Sequence, residues 1–421
     1  MKKMNIVQFL GIFLILFTAF SSSAVAQEEE NKDGFKFGGA VRYNIISESY
    51  ESDPTTLNTY ATWDTWRLNV DGTMKGLDMS FEYRFYPTFA THFMHHGWIG
   101  YNFNDVAYMK LGVSQVPFGI TKFASHSWWF QGPYYVGLED DYDMGIKFDL
   151  NFVENLDLAV AYYRQAEPEG PFYDGLSTFG NAGPGRYSYD ITPSGSASVR
   201  ELNNFNVRAA YHITEDIEIG ASGQFGQNYN SVLDESEMST AFAGHLVANF
   251  GNFNFKGEFV NYNYAAKLDD DTDAETLPMG AYGSIYQVAT EANMYVAGLA
   301  YTIPVDLGPI SSIQPYVDFT MFDKSNSDFE DSYHLIPGFL VSAGPIYAYF
   351  DFAMGKNQPW LTEDFGTGLG AGRLYELDAT PGDDSDDYYY TTDDAAKAGT
   401  PVPLSDVEWN LRFNINVGYY F

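Results

Sequence analysis

The chain has 421 residues, a formal net charge of −34 and no cysteine. So acidic a balance disfavours nucleic acid as a partner, and the absence of thiols excludes a disulfide framework. The chain also contains 33 tyrosines and 34 phenylalanines, far more than a soluble domain commonly carries. We therefore consider folds that hold many aromatic side chains in apolar or interfacial surroundings.

The N-terminus has the pattern of a cleaved export signal. Two lysines precede an apolar run over residues 6–20, and Ala24-Val25-Ala26 forms a small-x-small cleavage site. A retained membrane anchor is the alternative, but the run is short for a spanning helix. The sequence predicts a signal peptide at 1–26 and an exported mature chain at 27–421.

From residue 35 onward, apolar and polar residues alternate in one segment after another. Strands sort this pattern onto two faces, and each segment is long enough to cross a bilayer at a tilt. We count about sixteen segments, an even number as in bacterial outer-membrane barrels. The segments are 35–50, 60–73, 76–86, 93–103, 106–115, 141–153, 155–165, 200–213, 216–226, 239–251, 252–264, 290–303, 310–323, 332–343, 344–356 and 407–421.

The connections between these segments alternate in length. Those after even-numbered segments are short, whereas the others are mostly long: 116–140, 166–199, 227–238, 265–289 and 357–406. Short periplasmic turns and long outer loops are typical of a transmembrane barrel. The predicted fold class is therefore all-β, a transmembrane antiparallel β-barrel. A soluble β-sandwich is the alternative, but long strands with aromatic residues near their ends favour the barrel.

The final segment predicts how the barrel closes. Its residues alternate as far as Phe421, the last of the chain. Lipid offers no hydrogen-bond partner to the backbone, so a spanning sheet must have no free edge. We expect the last strand to pair with the first, and Phe421 to face lipid at the periplasmic rim.

The alternation also assigns charged residues to the lumen, because a charge facing lipid would cost about 2–4 kcal/mol at mid-depth. We expect a basic arc on one wall and carboxylates opposite it, which would set up a transverse field that orients dipolar solutes. The alternative is that these charges form mutual salt bridges or are merely solvated. The basic residues are Arg42, Arg67, Arg84, Lys110, Lys147 and Arg412, and the acidic ones are Glu258, Asp318 and Asp351.

Two motifs carry a resemblance to known proteins. The stretch MKLGVSQVPFGITKF (Met109 to Phe123) and the following YYVGLEDDYDMGIKF resemble the phosphate-selective porin O and P family. That resemblance implies trimers of sixteen-stranded channels with an inward-folded third loop and a basic lumen. The terminal aromatic pattern resembles the assembly signal of outer-membrane porins, which implies recognition of Phe421 by the barrel-assembly machinery.

The chain departs from that family in its candidate constriction loop, 116–140. The family's phosphate selectivity depends on stacked arginines and a lysine cluster, whereas this loop offers only Lys122 and His126 as basic or near-basic groups. Its end is acidic, at Glu139-Asp140-Asp141. The resemblance therefore favours the porin architecture more than phosphate selectivity.

The expected function is passive diffusion of small hydrophilic solutes and ions through an outer-membrane porin. A solute-specific channel of anion or phosphate type is the alternative, and an assembly or adhesion barrel is a third. We expect a homotrimer in the outer membrane of a Gram-negative cell, in contact with lipid and lipopolysaccharide. No cofactor is predicted.

Other motifs were weighed for different chemistry. The acidic runs 268–275 and 382–390 could bind Ca²⁺, although solvated outer loops are the simpler interpretation. His92, His95 and His96 could bind zinc, but adjacent residues of a strand point to opposite faces, so no metal site is predicted. A Gly-x-Ser-x-Gly elbow is absent from the sequence, and no enzymatic activity is predicted.

Overall fold

The computed structural model describes residues 33–50, 57–170, 183–361, 368–370, 375–376, 389–390, 402–403 and 409–421. The predicted signal peptide and most of the acidic run 382–390 lie outside these residues. In the part of the chain described, no helix combines the length and apolar character needed to cross a membrane.

The prediction of a 16-stranded antiparallel barrel is confirmed. Strands β8, β13 and β14 form a separate sheet, β20, β21 and β22 form another, and β16 continues the barrel edge beyond β15. Two short 3-10 helices lie at Pro87–Phe89 and Gly132–Val136. In chain order the strands are β1 (Gly34–Glu48), β2 (Thr59–Met74), β3 (Leu77–Tyr86), β4 (Thr91–Asn104), β5 (Ala107–Gln115), β6 (Tyr142–Val153), β7 (Leu156–Ala166), β8 (Asp190–Ile191), β9 (Val199–Thr214), β10 (Ile217–Asn230), β11 (Glu235–Phe250), β12 (Phe253–Tyr264), β13 (Thr276–Ala281), β14 (Ser284–Ala289), β15 (Glu291–Tyr301), β16 (Ile303–Leu307), β17 (Ile310–Lys324), β18 (Ser332–Ala343), β19 (Ile346–Lys356), β20 (Tyr375–Glu376), β21 (Tyr389–Tyr390), β22 (Val402–Pro403) and β23 (Asn410–Tyr420).

The ring closes between the first and last strands, as predicted. Strand β1 pairs with β23 over Ala40↔Tyr420 to Glu48↔Arg412. The terminal residue takes part in the pairing, because the Gly39 N–H donates to the Phe421 carbonyl at 2.9 Å and the Phe421 N–H donates to the Gly39 carbonyl at 3.0 Å. A Cβ at position 39 would lie 2.8 Å from the Phe421 ring, so glycine leaves room for the final aromatic side chain.

The two faces of the barrel follow the alternation of the sequence. Leu68, Leu111 and Phe259 are exposed on the outside at 43%, 52% and 43%. Polar side chains such as Asn44 and Asn416 face the lumen, where the Asn416 amide donates to Asn44 at 2.6 Å. The outer surface is therefore suited to lipid and the inner one to polar contacts.

Several of the predicted connections contain strands, and two of them differ most from the prediction. The predicted loop 227–238 is wrong, because the backbone ladder of β10 and β11 continues to Asn230↔Glu235. The side-chain amides of Asn228 and Asn230 also donate to the carbonyls of Ala265 and Lys267, at 3.1 and 2.9 Å. The predicted loop 265–289 contains β13 and β14, and every residue of β13 is buried, so its sequence shows no alternation.

Leu68→Arg tests the lipid-facing surface. This substitution places a guanidinium in hydrocarbon, so the free energy of unfolding in lipid vesicles should fall by about 2–4 kcal/mol if the side chain lies at mid-depth. Urea titration of the reconstituted protein measures the change.

The neighbouring substitution Asn69→Arg is the matched control. Asn69 faces the lumen beside Asp71, so an arginine there should change stability by only about 0.5 kcal/mol. Equal losses for the two variants would contradict the assignment of faces.

Candidate pore and its inner loop

The connection between β5 and β6, here called the inner loop (residues 116–141), lies against the lumen wall. The Gly119 N–H donates to the Ser222 hydroxyl at 3.0 Å, and Arg208 donates to the Gly119 carbonyl at 2.7 Å. Gly119 has φ +57°, and a Cβ there would collide with the Glu258 carboxylate. Further along the loop, the Lys256 ammonium donates to the carbonyls of Phe123 and Ser125, at 2.7 and 2.9 Å.

The three predicted acidic lumen residues bind the backbone of this loop. Asp318 accepts bonds from the backbone N–H groups of His126 and Ser127, at 2.7 and 2.8 Å, and faces His126 Nδ1 at 2.9 Å. Backbone N–H groups of the loop also reach Glu258 and Asp351.

These contacts correct the expectation of an acidic wall facing the pore. Glu258, Asp318 and Asp351 point into the barrel but are only 7%, 0% and 0% exposed. Charge-assisted hydrogen bonds to backbone N–H groups are among the stronger ones available to a loop. The three carboxylates therefore serve as attachment points beneath the inner loop.

The loop's own charged residues have different surroundings. Lys122 is exposed, whereas the His126 ring lies between Asp318 and the Asn254 amide oxygen, 2.6 Å from Nε2. Glu139 accepts a 2.7 Å bond from the Ala124 N–H, which joins the two halves of the loop. Burial raises the pKa of Glu139 well above its ordinary value.

Asp140 fixes the end of the loop. It adopts φ +48°, and its carboxyl accepts bonds from the Gln115 amide at 2.9 Å and the Tyr187 hydroxyl at 2.6 Å. Burial raises the pKa of Asp140 to about 7. Its neighbour Asp141 belongs to a carboxylate cluster described below.

The six predicted basic residues divide into two groups. Four of them, here called the arginine wall (Arg42, Arg67, Arg84 and Arg412), line one cavity of about 1010 Å³. The two lysines instead lie around Asp149, with N–O distances of 3.4 Å from Lys110 and 3.7 Å from Lys147.

Each member of the arginine wall is held by a carboxylate. Arg42 lies 2.8 Å from Asp64, and Arg412 lies 3.6 Å from Glu48. Glu82 binds both other arginines, at 2.5 Å to Arg84 and 3.5 Å to Arg67. The salt-bridge alternative considered from the sequence thus describes these side chains, and the pairing fixes their positions along the cavity.

The cavity also has an aromatic lining. Residues 128–130 and 134–135 of the inner loop belong to it, and the Arg412 guanidinium lies 5.0 Å from the Trp129 ring centroid. Tyr187, Tyr189 and Tyr282 of other connections line the same cavity, and the hydroxyls of Tyr134 and Tyr282 are 2.5 Å apart. This aromatic cluster was not predicted from the sequence; the tyrosines at 187, 189, 282 and 286 in predicted loops were its signal.

The three histidines correct one argument made from the sequence. The register between β3 and β4 shifts at Glu82/Tyr83, which leaves His95 as an extra residue. His95 and His96 therefore point to the same side, with their Nδ1 atoms 2.8 Å apart. The prediction that His95 and His96 point to opposite faces of the strand is therefore wrong. Nearby Glu82 is held by the two arginines, and His95 packs against Tyr142 and Tyr187 with ring centroids 4.2 Å apart in each pair.

The acidic run 268–275 is a turn bound to the rest of the protein. Asp269 accepts from the Ser198 N–H at 2.9 Å, and Asp273 pairs with Lys267 at 2.8 Å. Among the described residues, no three carboxylates of this run lie close enough together to share a metal ion.

Comparison with known proteins gives a likeness in fold. No family model matches the chain, and no curated protein matches it. Among solved structures, OmpT of Vibrio cholerae, in a trimer form, shares 12% identity at a TM-score of 0.54, covering 92% of this chain and 99% of that one. The anion-selective porin of Comamonas acidovorans shares 11% sequence identity at a TM-score of 0.53, and the match covers 93% of this chain and 100% of that one. The DcaP channel of Acinetobacter baumannii shares 12% sequence identity at a TM-score of 0.54, and the match covers 95% of this chain and 100% of that one.

These likenesses show a shared outer-membrane barrel fold. At such low identity they do not carry a solute preference to this chain, and the resemblance to the phosphate-selective family in particular remains a prediction.

Asp318→Ala tests the attachment of the inner loop. The variant leaves buried donors of residues 126 and 127 without their acceptor, which should lower stability on the order of 3 kcal/mol. A loosened loop should also be cut faster by trypsin after the exposed Lys122. Mass spectrometry of the fragments measures that rate, with Asp306→Ala, an exposed acid on β16, as the control. Equal cleavage rates in the two variants would argue against the attachment.

Asp140→Asn tests the pH dependence of the loop. Because the folded-state pKa is raised to about 7, the stabilising protonated form is lost as the pH rises through that value. Between pH 6 and pH 8 the free energy of unfolding of the wild type should fall by on the order of 1 kcal/mol more than that of the variant. Asparagine mimics the protonated acid and tolerates positive φ.

The groups facing Asp140 are Tyr187, Tyr142, Arg84 and Glu82. All of them are retained in Asp140→Asn, so the difference between the two melting profiles isolates this carboxyl. Parallel profiles would contradict the assignment.

Proposed function

We propose that the mature chain, 27–421, is an outer-membrane porin for passive diffusion of small hydrophilic solutes and ions. The main support is the cavity of about 1010 Å³ between the arginine wall and the inner loop, inside a closed barrel. A charged wall keeps water and ions in favourable contact with the lumen. The fold shared with porins and channels agrees with this role, and no enzymatic role is proposed.

The cavity favours anions in particular. Four arginines line it, and three carboxylates pair with them, namely Glu48, Asp64 and Glu82. In a chain of net charge −34, this local excess of positive charge would raise the concentration of anions at the narrow part of the pore. We therefore hold an anion-preferring channel as the second candidate.

The arginine pairings shape the mechanism. Each guanidinium is fixed by a carboxylate but keeps further N–H donors, because the group has five. A passing anion can exchange its water for those donors one after another, from Arg412 and Arg42 to Arg67. The aromatic side chains of the lining narrow the path without binding the ion as strongly.

The proposal also covers the oligomeric state and the location of the protein. We propose a homotrimer, a form reported for OmpT, in the outer membrane of a Gram-negative cell with lipid and lipopolysaccharide as surroundings. The export signal 1–26 would be removed, and Phe421 would be recognised by the barrel-assembly machinery.

Neutralising the cavity tests the function. The triple variant Arg42→Gln, Arg67→Gln, Arg412→Gln removes three positive charges from the lining while leaving Arg84 and Glu82 paired. In planar bilayers under a KCl gradient, the wild type should show stepwise conductance and a reversal potential of anion preference. The variant should shift that potential to the sign of cation preference.

Lys75→Gln is the control, because it removes a positive charge at the β2–β3 turn, away from the cavity lining. A wild type without conductance would contradict the porin proposal. Conductance with equal reversal potentials in the wild type and the triple variant would contradict the anion preference alone. Liposome swelling with sugars of graded size then separates a size cutoff from saturation by one solute.

A further inference from the structure

A cluster of buried carboxylates joins two segments of the chain at the end of the inner loop. Asp141 ends that loop, Asp143 is the second residue of β6, and Asp190 belongs to β8. One oxygen from each lies within 4.8 Å of the other two. The residues are 6%, 1% and 2% exposed, so bulk water does not solvate the group.

The cluster carries more negative charge than its neighbours balance. Glu167 and Glu201 interact electrostatically with Asp143 and Asp190, and Glu169 interacts with Asp190, making six acids in all. The Arg186 guanidinium lies 3.3 Å from Asp190, and this single positive charge leaves a large excess of acid. Concentrated buried charge of one sign requires protons or a cation.

Hydrogen bonds account for some of these oxygens but not for others. Glu167 accepts from the N–H groups of Tyr187 and Ser188, at 3.2 and 2.8 Å. By contrast, Asp141 Oδ1 and Asp143 Oδ1 are buried and have no hydrogen-bond partner. Two lone carboxylate oxygens in one buried cluster point to a ligand that accepts their electron pairs.

The donor set indicates which cation fits. The three clustered ligands are carboxylate oxygens, which hard cations such as Ca²⁺ prefer. Calcium binds oxygens at about 2.3–2.6 Å, so two oxygens of one ion lie no more than about 5 Å apart, and the three oxygens of the cluster, all within 4.8 Å of one another, satisfy that condition. Magnesium demands a near-ideal octahedron and tends to keep its waters, for which a buried, irregular site is less suited.

We propose that Asp141, Asp143 and Asp190 form a Ca²⁺ site that ties the junction of the inner loop and β6 to β8. Strand β8 in turn pairs with β13 through Ile191↔Met279. One ion would thus connect the inner loop with the small sheet inside the barrel. This inference concerns cation binding itself and does not depend on the proposed transport function.

Protons compete for the same oxygens. Burial, with the neighbouring acids, raises the pKa of Asp141 and of Glu167 well above their ordinary values. If protons alone neutralised the cluster, replacing the acids by amides would be tolerated and Ca²⁺ would have no effect. Measured cation binding distinguishes these two states.

The experiment uses the full mature chain refolded in detergent and freed of metal by a chelator. Isothermal titration with Ca²⁺ should detect one tight site per chain, and the double variant Asp141→Asn, Asp143→Asn should weaken it by more than about 100-fold, since even outer-shell changes cost 10–100-fold. Calcium should also raise the melting temperature of the wild type but not of this variant. The control Asp271→Asn, Asp273→Asn removes exposed acids, 71% and 88% accessible, and should keep the tight site.

A second measurement covers the case in which the double variant fails to fold. Tyr163 adjoins Asp141 and Asp143, so Tb³⁺ bound there should show tyrosine-sensitised luminescence that Ca²⁺ displaces in both the wild type and the exposed-acid control. The proposal is overturned if no tight Ca²⁺ site appears, if the double variant binds as the wild type does, or if Ca²⁺ leaves the Tb³⁺ signal unchanged.

Discussion

The pairing of β1 with β23 is the contact on which the other features depend. A sheet that spans lipid must satisfy every backbone donor and acceptor within itself, and this pairing turns an open sheet into a ring. Closure creates an inside that lipid cannot reach. Arginine, aspartate and glutamate side chains can then lie at membrane depth on inward-facing positions, where outward placement would cost several kcal/mol each.

Acidic and basic side chains inside the barrel make different contacts. Carboxylates such as Asp318 are buried under the inner loop and accept its backbone N–H groups. The arginine wall keeps its guanidiniums along the open cavity, each fixed by an acid. Buried carboxylates, together with Arg208 and Lys256, therefore hold the inner loop, whereas the paired arginines line the cavity.

Features that depend on local periodicity, such as the barrel strands, could be predicted from the sequence. Contacts between residues far apart in the chain could not. Alternation over two residues gave nearly every barrel strand, since each residue's face depends only on its own strand. The link between Asp318 and His126 spans 192 residues, so no local pattern reveals it. The bulge at His95 and the fully buried β13 also break the alternation rule. The sequence predicts on which side of the barrel wall each charged side chain lies. It does not predict which of these side chains the inner loop buries.

Cysteine cross-linking of the first and last strands tests the closed ring most directly, because the natural chain has no cysteine. Asn44 and Asn416 are direct partners across the seam, so Asn44→Cys with Asn416→Cys should form an intramolecular disulfide on oxidation, seen as a reducible shift in gel mobility. Asn44→Cys with Asn414→Cys, displaced by two residues, should react poorly because its Cα atoms are too far apart. Failure of the 44–416 pair to cross-link, or equal reaction of both pairs, would contradict the closed barrel.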